Sequence, residues 1–291
     1  MNRSEKYINL NYVFSCIPRI KNLLKQEEYI DIILSADKEK LKKTYGLNNL
    51  LIDKLASVKK DNPAKKELEF CTKLGIKITT PGEKDYPLHL NNIYDPPLCL
   101  YYKGKMPADD DILISVVGSR AATPPGRINA ENMGFKLASY GITVVSGMAR
   151  GIDTCAHTGA LKAGGKTLAV LGCGLNIVYP PENKKLMKQI SETGAVISEF
   201  PPEAPPNAWN FPIRNRIISG ISMATIVVEA SQKSGSLITA GCALEQGKEV
   251  FAMPGNALSQ VAKGVNRLIK DGARLIENAE DILLELNIKI R

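Results

Sequence analysis

Four short glycine and serine stretches each follow a β-branched apolar run: Gly118-Ser119-Arg120, Ser146-Gly147-Met148-Ala149-Arg150-Gly151, Gly172-Cys173-Gly174 and Ser234-Gly235-Ser236. Glycine lets backbone N–H groups approach an anion, serine adds a hydroxyl, and Arg120 and Arg150 add positive charge. Any one stretch is explained by a tight strand-to-helix turn, but four on one expected sheet edge read as a phosphate-binding rim. Phe211-Pro212-Ile213-Arg214-Asn215-Arg216 puts two more arginines at an expected helix start. Each could hold a phosphate through two hydrogen bonds, or pair with Glu199 or Glu229, because buried arginine is normally paired. Tyr179-Pro180-Pro181-Glu182-Asn183-Lys184-Lys185 sets an aromatic ring beside two lysines. That suits base stacking along a charged backbone, and a lid over the core explains Tyr179 equally well.

Catalytic chemistry has weaker support. Asp153 and His157 stand four residues apart on an expected helix, as a base and its orienting acid could. A helix-start acid and a structural histidine fit the same spacing better. No serine or cysteine sits in a G-x-S-x-G elbow, and the first strand is not followed by G-x-G-x-x-G, so a dinucleotide cofactor is not expected. Residues 160–167 approach a phosphate-loop pattern, but Ala160 replaces its first glycine and the run precedes a strand, so Lys166 reads as a surface residue. The six cysteines lie far apart without Cys-x-x-Cys pairs, and neither a metal nor any other cofactor is expected.

The elements that must position these residues follow from periodicity. From about residue 110, continuous apolar runs alternate with helical stretches: ILISVVG, ITVVSG, TLAVLG, AVISEF, ATIVVEA and EVFAMPG, with helices between them. Strands apolar on both faces imply a mainly parallel sheet covered on both sides, a doubly wound α/β fold whose ligands bind beyond the strand C-termini. Residues 75–104 carry boundary punctuation rich in Pro, Gly, Asn and Tyr, with short extended pieces. Residues 1–68 read as a bundle of short helices, with 14 Lys and Arg against 9 Asp and Glu, so this smaller part carries +5 of the net +8. Gly46, between two helical segments, fits a helix-hairpin-helix turn or a plain helix C-cap. The composition, 44% hydrophobic and 23% charged over 291 residues, excludes a disordered chain and a disulfide-stapled miniprotein. Neither a signal peptide nor a membrane-spanning stretch is present, so a cytoplasmic protein with reduced thiols and no membrane contact is expected.

Taken in order, Gly118-Ser119-Arg120, SGMARGIDTCAHTGAL, LGCGLNIVYPPENKKL, ISEFPP, FPIRNRIISGIS, VVEASQKSGSLITAGCALEQGKEVFAMPG and GVNRLIKDGA resemble the DNA-processing protein A (DprA/Smf) family over residues 75–275. The resemblance implies an extended Rossmann-like domain, residues 69–291, preceded by a SAM-like helical domain, residues 1–68. It implies sequence-independent binding and protection of single-stranded DNA and loading of the RecA recombinase in natural transformation, by a non-catalytic homodimer. Carried over, Gly118, Ser119, Arg120, Ser146, Gly147, Arg150, Gly151, Lys184, Arg214, Arg216, Ser234 and Gly235 become DNA-contacting positions. Met253, Leu268 and Ile269 become dimer or RecA contacts. Many members carry a C-terminal winged-helix domain, whereas this sequence stops at Arg291, which puts functions of that module in doubt. The alternative is a nucleotide-phosphate hydrolase of the lysine-decarboxylase-like type. Those enzymes carry P-G-G-x-G-T-x-x-E, where residues 234–240 lack the glutamate.

Overall fold

The computed structural model describes residues 1–15 and 17–289. Six short helices come first: α1 (Arg3–Phe14), α2 (Pro18–Leu24), α3 (Glu27–Ser35), α4 (Lys38–Tyr45), α5 (Asn49–Asp61) and α6 (Pro63–Lys73). Asn2, Asp37 and Asn48 start three of them by accepting the backbone N–H of Glu5, Lys40 and Leu51. Gly46 ends α4 in the left-handed region at φ 65°, its N–H bonding back to the Leu41 and Lys42 carbonyls, so its geometry is that of a C-cap. Residue 68 falls inside α6, and the helical region runs on to Lys73.

The sheet has nine strands: β1 (Lys77–Thr79), β2 (Leu100–Gly104), β3 (Leu113–Val117), β4 (Thr143–Ser146), β5 (Thr167–Leu171), β6 (Ala195–Ser198), β7 (Ala224–Val227), β8 (Glu249–Ala252) and β9 (Arg274–Leu275). Their order is β1-β2-β6-β5-β4-β3-β7-β8-β9. The β1–β2 and β2–β6 pairs are antiparallel, and every other pair is parallel. The chain winds outward from β3 to β6 and then returns across β3 to begin β7. That reversal creates a crevice beyond the C-terminal ends of β3 and β7.

Helices α7 (Pro124–Ser139), α8 (Ile152–Lys162), α9 (Lys184–Thr193), α10 (Asn210–Ile221), α11 (Ser236–Glu245), α12 (Lys263–Lys270) and α13 (Ala279–Glu285) cover the two faces. Alternation along β5 shows how: Leu168 and Val170 join the core under α10 and α11, while Ala169 and Leu171 join the core under α9 and the N-terminal helices. A third cluster lies between the sheet and α7, α8 and α13. The N-terminal helices therefore share a core with the sheet, with Tyr7, Phe14 and Leu24 in the same cluster as Tyr101 and Val196. No described helix is long and apolar enough to cross a membrane.

Candidate nucleic-acid interface

A cavity of about 530 Å3 opens at the β3/β7 crevice. The loop after β3 supplies Gly118, Ser119 and Arg120, the loop after β7 supplies Ser231, Ser234 and Gly235, and α10 supplies Phe211, Arg214 and Asn215. Phe211 is the centre of an aromatic and cationic group. The Arg120 guanidinium lies 5.0 Å from its ring centroid, that of Arg214 5.9 Å, and the Tyr179 ring 5.4 Å at a tilt of 43°. A ring close to two guanidiniums gains cation–π attraction, which favours one direction for the exposed Arg120 side chain. A smaller hollow shares Arg120, Tyr179 and Phe211 and adds Gly147, Arg150 and Gly172.

The loops are held from behind. Ser119 N–H donates to the Glu229 carbonyl at 2.7 Å, and the Ser119 carbonyl accepts from Ile152 N–H at 3.2 Å. Gly151 has φ 77°, and a Cβ there would meet the Ser119 carbonyl at 2.3 Å, so only glycine lets the loops after β3 and β4 touch. The Glu229 side chain accepts from Thr123 N–H at 3.1 Å, and the Thr123 hydroxyl caps α7 by accepting from Gly126 N–H. Asn215 reaches across to the Gly235 carbonyl at 3.2 Å, tying α10 to the start of α11, where the Ser234 and Ser236 hydroxyls meet at 2.8 Å.

Charge in the cavity does not balance. Arg214 is buried, bonded to the Gly147 carbonyl at 2.8 Å and to the Val170 carbonyl, and burial lowers its guanidinium to about 10 against the opposing pull of Asp153. Asp153 is the lining carboxylate, and it accepts Gly147 N–H at 3.2 Å and Ala149 N–H at 3.3 Å. Burial raises its pKa, partly offset by Arg214. With Arg120 added, two guanidiniums face one carboxylate, which leaves an excess positive charge for an anion. His157 does not partner Asp153. Its Nδ1 meets the Thr167 hydroxyl at 2.7 Å, and because that hydroxyl donates to Val144, Nδ1 carries the proton. Burial, with Arg214 nearby, lowers the imidazole to about 3.

Gly118, Ser119, Arg120, Arg214, Ser234 and Gly235 thus converge on the cavity, and Gly147 and Arg150 on the adjoining hollow. The other expected positions lie elsewhere. Ser146 is fully buried and donates to the Val116 carbonyl at 2.6 Å, so it pins β4 behind the cavity. Arg216 is taken up by Asp95 at 3.0 Å and Glu199 at 2.7 Å, and Lys21 of α2 completes the group at 2.7 and 3.0 Å from the same carboxylates. It welds the helical region to the sheet. Arg214 lies too deep to follow a strand along the surface, and serves as the cavity's floor. Arg150 is committed to Glu182 at 2.5 Å. Gly151 packs behind the Arg120 loop, and Lys184 is exposed at the start of α9 without lining the cavity.

Met253 is buried in the core beneath α7 and α13, while Leu268 and Ile269 are half-buried against the core beneath α11. These three therefore do not form one contact patch. Lys166 is a surface residue paired with Asp111 at 3.1 Å. Sequence reasoning did not select Phe211 as a site residue, although its spacing of three from Arg214 puts both on one helix face.

The model of the DNA recombination-mediator protein A family matches residues 77–287. DNA processing protein DprA of Streptococcus pneumoniae is 44% identical over 200 residues, which span 69% of this chain and 71% of that protein. Protein Smf of Escherichia coli is 46% identical over 202 residues, 69% of this chain and 54% of Smf. The X-ray structure of the S. pneumoniae DprA matches 98% of this chain and 99% of its own at a TM-score of 0.84 and 34% identity. DNA processing protein A of Helicobacter pylori, solved to explain its unique single-stranded DNA binding mode, matches 74% of this chain and 98% of its own at a TM-score of 0.66 and 28% identity. The positively charged crevice thus lies in a chain that belongs to the DNA recombination-mediator protein A family, the DNA processing proteins known as DprA or Smf.

Proposed function

We propose that the protein binds single-stranded DNA without sequence preference, shields it, and passes it to the RecA recombinase during transformation and recombination in the cytoplasm. It acts as a homodimeric, non-catalytic mediator. The observation that carries this reading is the Arg120–Phe211–Arg214 group, with Tyr179 beside it, in a cavity whose charges leave a positive excess. An aromatic face accepts any base and a guanidinium accepts any phosphate, so the pair binds a strand without reading it. A paired duplex hides its base faces, which favours the single strand. The single-stranded DNA binding of the H. pylori relative supports the same assignment.

The test is fluorescence anisotropy of labelled oligothymidine, free and annealed to its complement, at two salt concentrations, followed by RecA filament formation on the bound strand. The expected result is salt-sensitive preference for the single strand and faster RecA loading. Equal binding of duplex and single strand would contradict the strand assignment, and unchanged RecA loading the mediator role. Binding of neither would leave the cavity, of a size suited to a nucleotide, to a nucleotide-phosphate hydrolase.

A further inference from the structure

Trp209 is the chain's single tryptophan, and it is 66% exposed. The segment that delivers it, residues 201–208, reads Pro-Pro-Glu-Ala-Pro-Pro-Asn-Ala and is firmly held. Gly174 N–H donates to the Ala204 carbonyl at 2.8 Å, Asn176 N–H to the Pro202 carbonyl at 2.9 Å, and the buried Asn210 side chain to the Pro205 carbonyl at 3.1 Å. Four prolines restrict the backbone further. The fold thus fixes the segment while leaving its one indole in water.

The position is continuous with the cavity. Pro206 and Ala208 before Trp209, and Phe211 and Pro212 after it, all line the cavity, whereas Trp209 lies just outside. Pro212 and Ile213 follow it at helical spacing and are exposed, so Trp209, Pro212 and Ile213 form an apolar ridge on α10. The opposite face of α10, with Arg214, Ile217, Ile218 and Ile221, is buried. Trp209 also occupies the N-cap position of this 12-residue helix, with no side-chain cap on its first N–H groups. The Asn210 N–H is bonded to the Asn207 carbonyl at 3.0 Å and Pro212 has no N–H, so the helix end adds only its positive dipole field near Trp209.

We propose that Trp209 is a second base-stacking platform, which takes the nucleotide beside the one at Phe211 and leads a single strand out of the cavity along α10. This rests on the strand-binding reading of the cavity. An indole on a restrained segment offers a wide π-face and loses little freedom when a base stacks on it.

The single tryptophan makes the test direct. Intrinsic fluorescence of the full chain is titrated with oligothymidine, alongside anisotropy of the labelled strand, for the native protein, Trp209→Ala and Trp209→Phe. The expected result is quenching that tracks the anisotropy isotherm, binding about tenfold weaker in Trp209→Ala, and most of that loss recovered in Trp209→Phe, which keeps a ring. Strand binding with unchanged tryptophan emission, or native affinity in Trp209→Ala, would overturn the platform and leave the cavity assignment standing. Absence of strand binding by the native chain would overturn both.

Discussion

Arg214 and Arg216 stand two residues apart on α10, yet they serve regions built on opposite electrostatic plans. Arg216 enters a closed group with Lys21, Asp95 and Glu199, two positive and two negative charges, with the Lys21 side chain wholly excluded from solvent. Burial alone would raise the Glu199 carboxyl, but Arg216 and Lys21 outweigh it and hold it below its ordinary value. Arg214 faces the cavity, where Asp153 is the carboxylate set against it and Arg120, and where the two guanidiniums lie 5.9 and 5.0 Å from the Phe211 ring centroid. The first region pairs its charges within the fold, whereas in the second Arg120 leaves a positive excess that an incoming anion neutralises. Positive charge at a sheet edge therefore marks a binding site only where the fold has not already supplied its partners.

The largest expected effect falls on the balanced region. Arg216→Ala leaves buried carboxylates short of a cation and should cost about 3–5 kcal/mol of stability. Urea denaturation measures it, and a loss below about 1 kcal/mol would show that the group is not a weld.

A second effect, spread over several pH units, lies beneath the cavity. His157 ordinarily titrates near 6.5 and is lowered to about 3, so between those values the unfolded chain binds the extra proton. Stability is full above pH 6.5 and falls as the pH drops toward 3, by up to about 1.4 kcal/mol per unit. Urea midpoints across that window should decline less steeply for His157→Gln. Parallel declines would mean that carboxylates alone set the acid limit.

The smallest effect concerns the rim. Lys184 is exposed and outside the cavity lining, so Lys184→Glu should reduce the slope of log affinity against log salt by about 1, with little change in stability. An unchanged slope would place Lys184 off the strand's path.

The comparison also explains what the sequence disclosed. The strands β3 to β8 were legible because each is a short, mostly apolar run buried along nearly its whole length, and the crevice followed from their order. The antiparallel strand β2 was legible only as an extended piece, since Leu100-Tyr101-Tyr102 sits among prolines and its partner β6 lies far along the chain. Helix α1 carries no apolar stripe against a polar face, because seven of its twelve residues are buried, including Asn9 and Asn11, so its bounds were not legible within the helical region. At the site, Gly118, Arg120 and Ser234 could be placed from strand ends alone. The fate of Arg216 could not, because Lys21 and Asp95 come from segments far away in sequence and leave no local pattern. The burial of Ser146 was not legible either, because which face the last residue of a strand presents depends on register, which local sequence does not show.

On this reading the unbalanced cavity, and Arg120 within it, holds the phosphate backbone of a single strand. The most direct measurement is the affinity of native protein and Arg120→Ala for several labelled single strands of different sequence, each across a range of salt, with urea stability measured in parallel. Arg120→Ala should weaken every sequence alike, by about tenfold or more, flatten the salt dependence by about 1, and leave stability within about 0.5 kcal/mol. A folded Arg120→Ala protein that binds each strand with native affinity would contradict it.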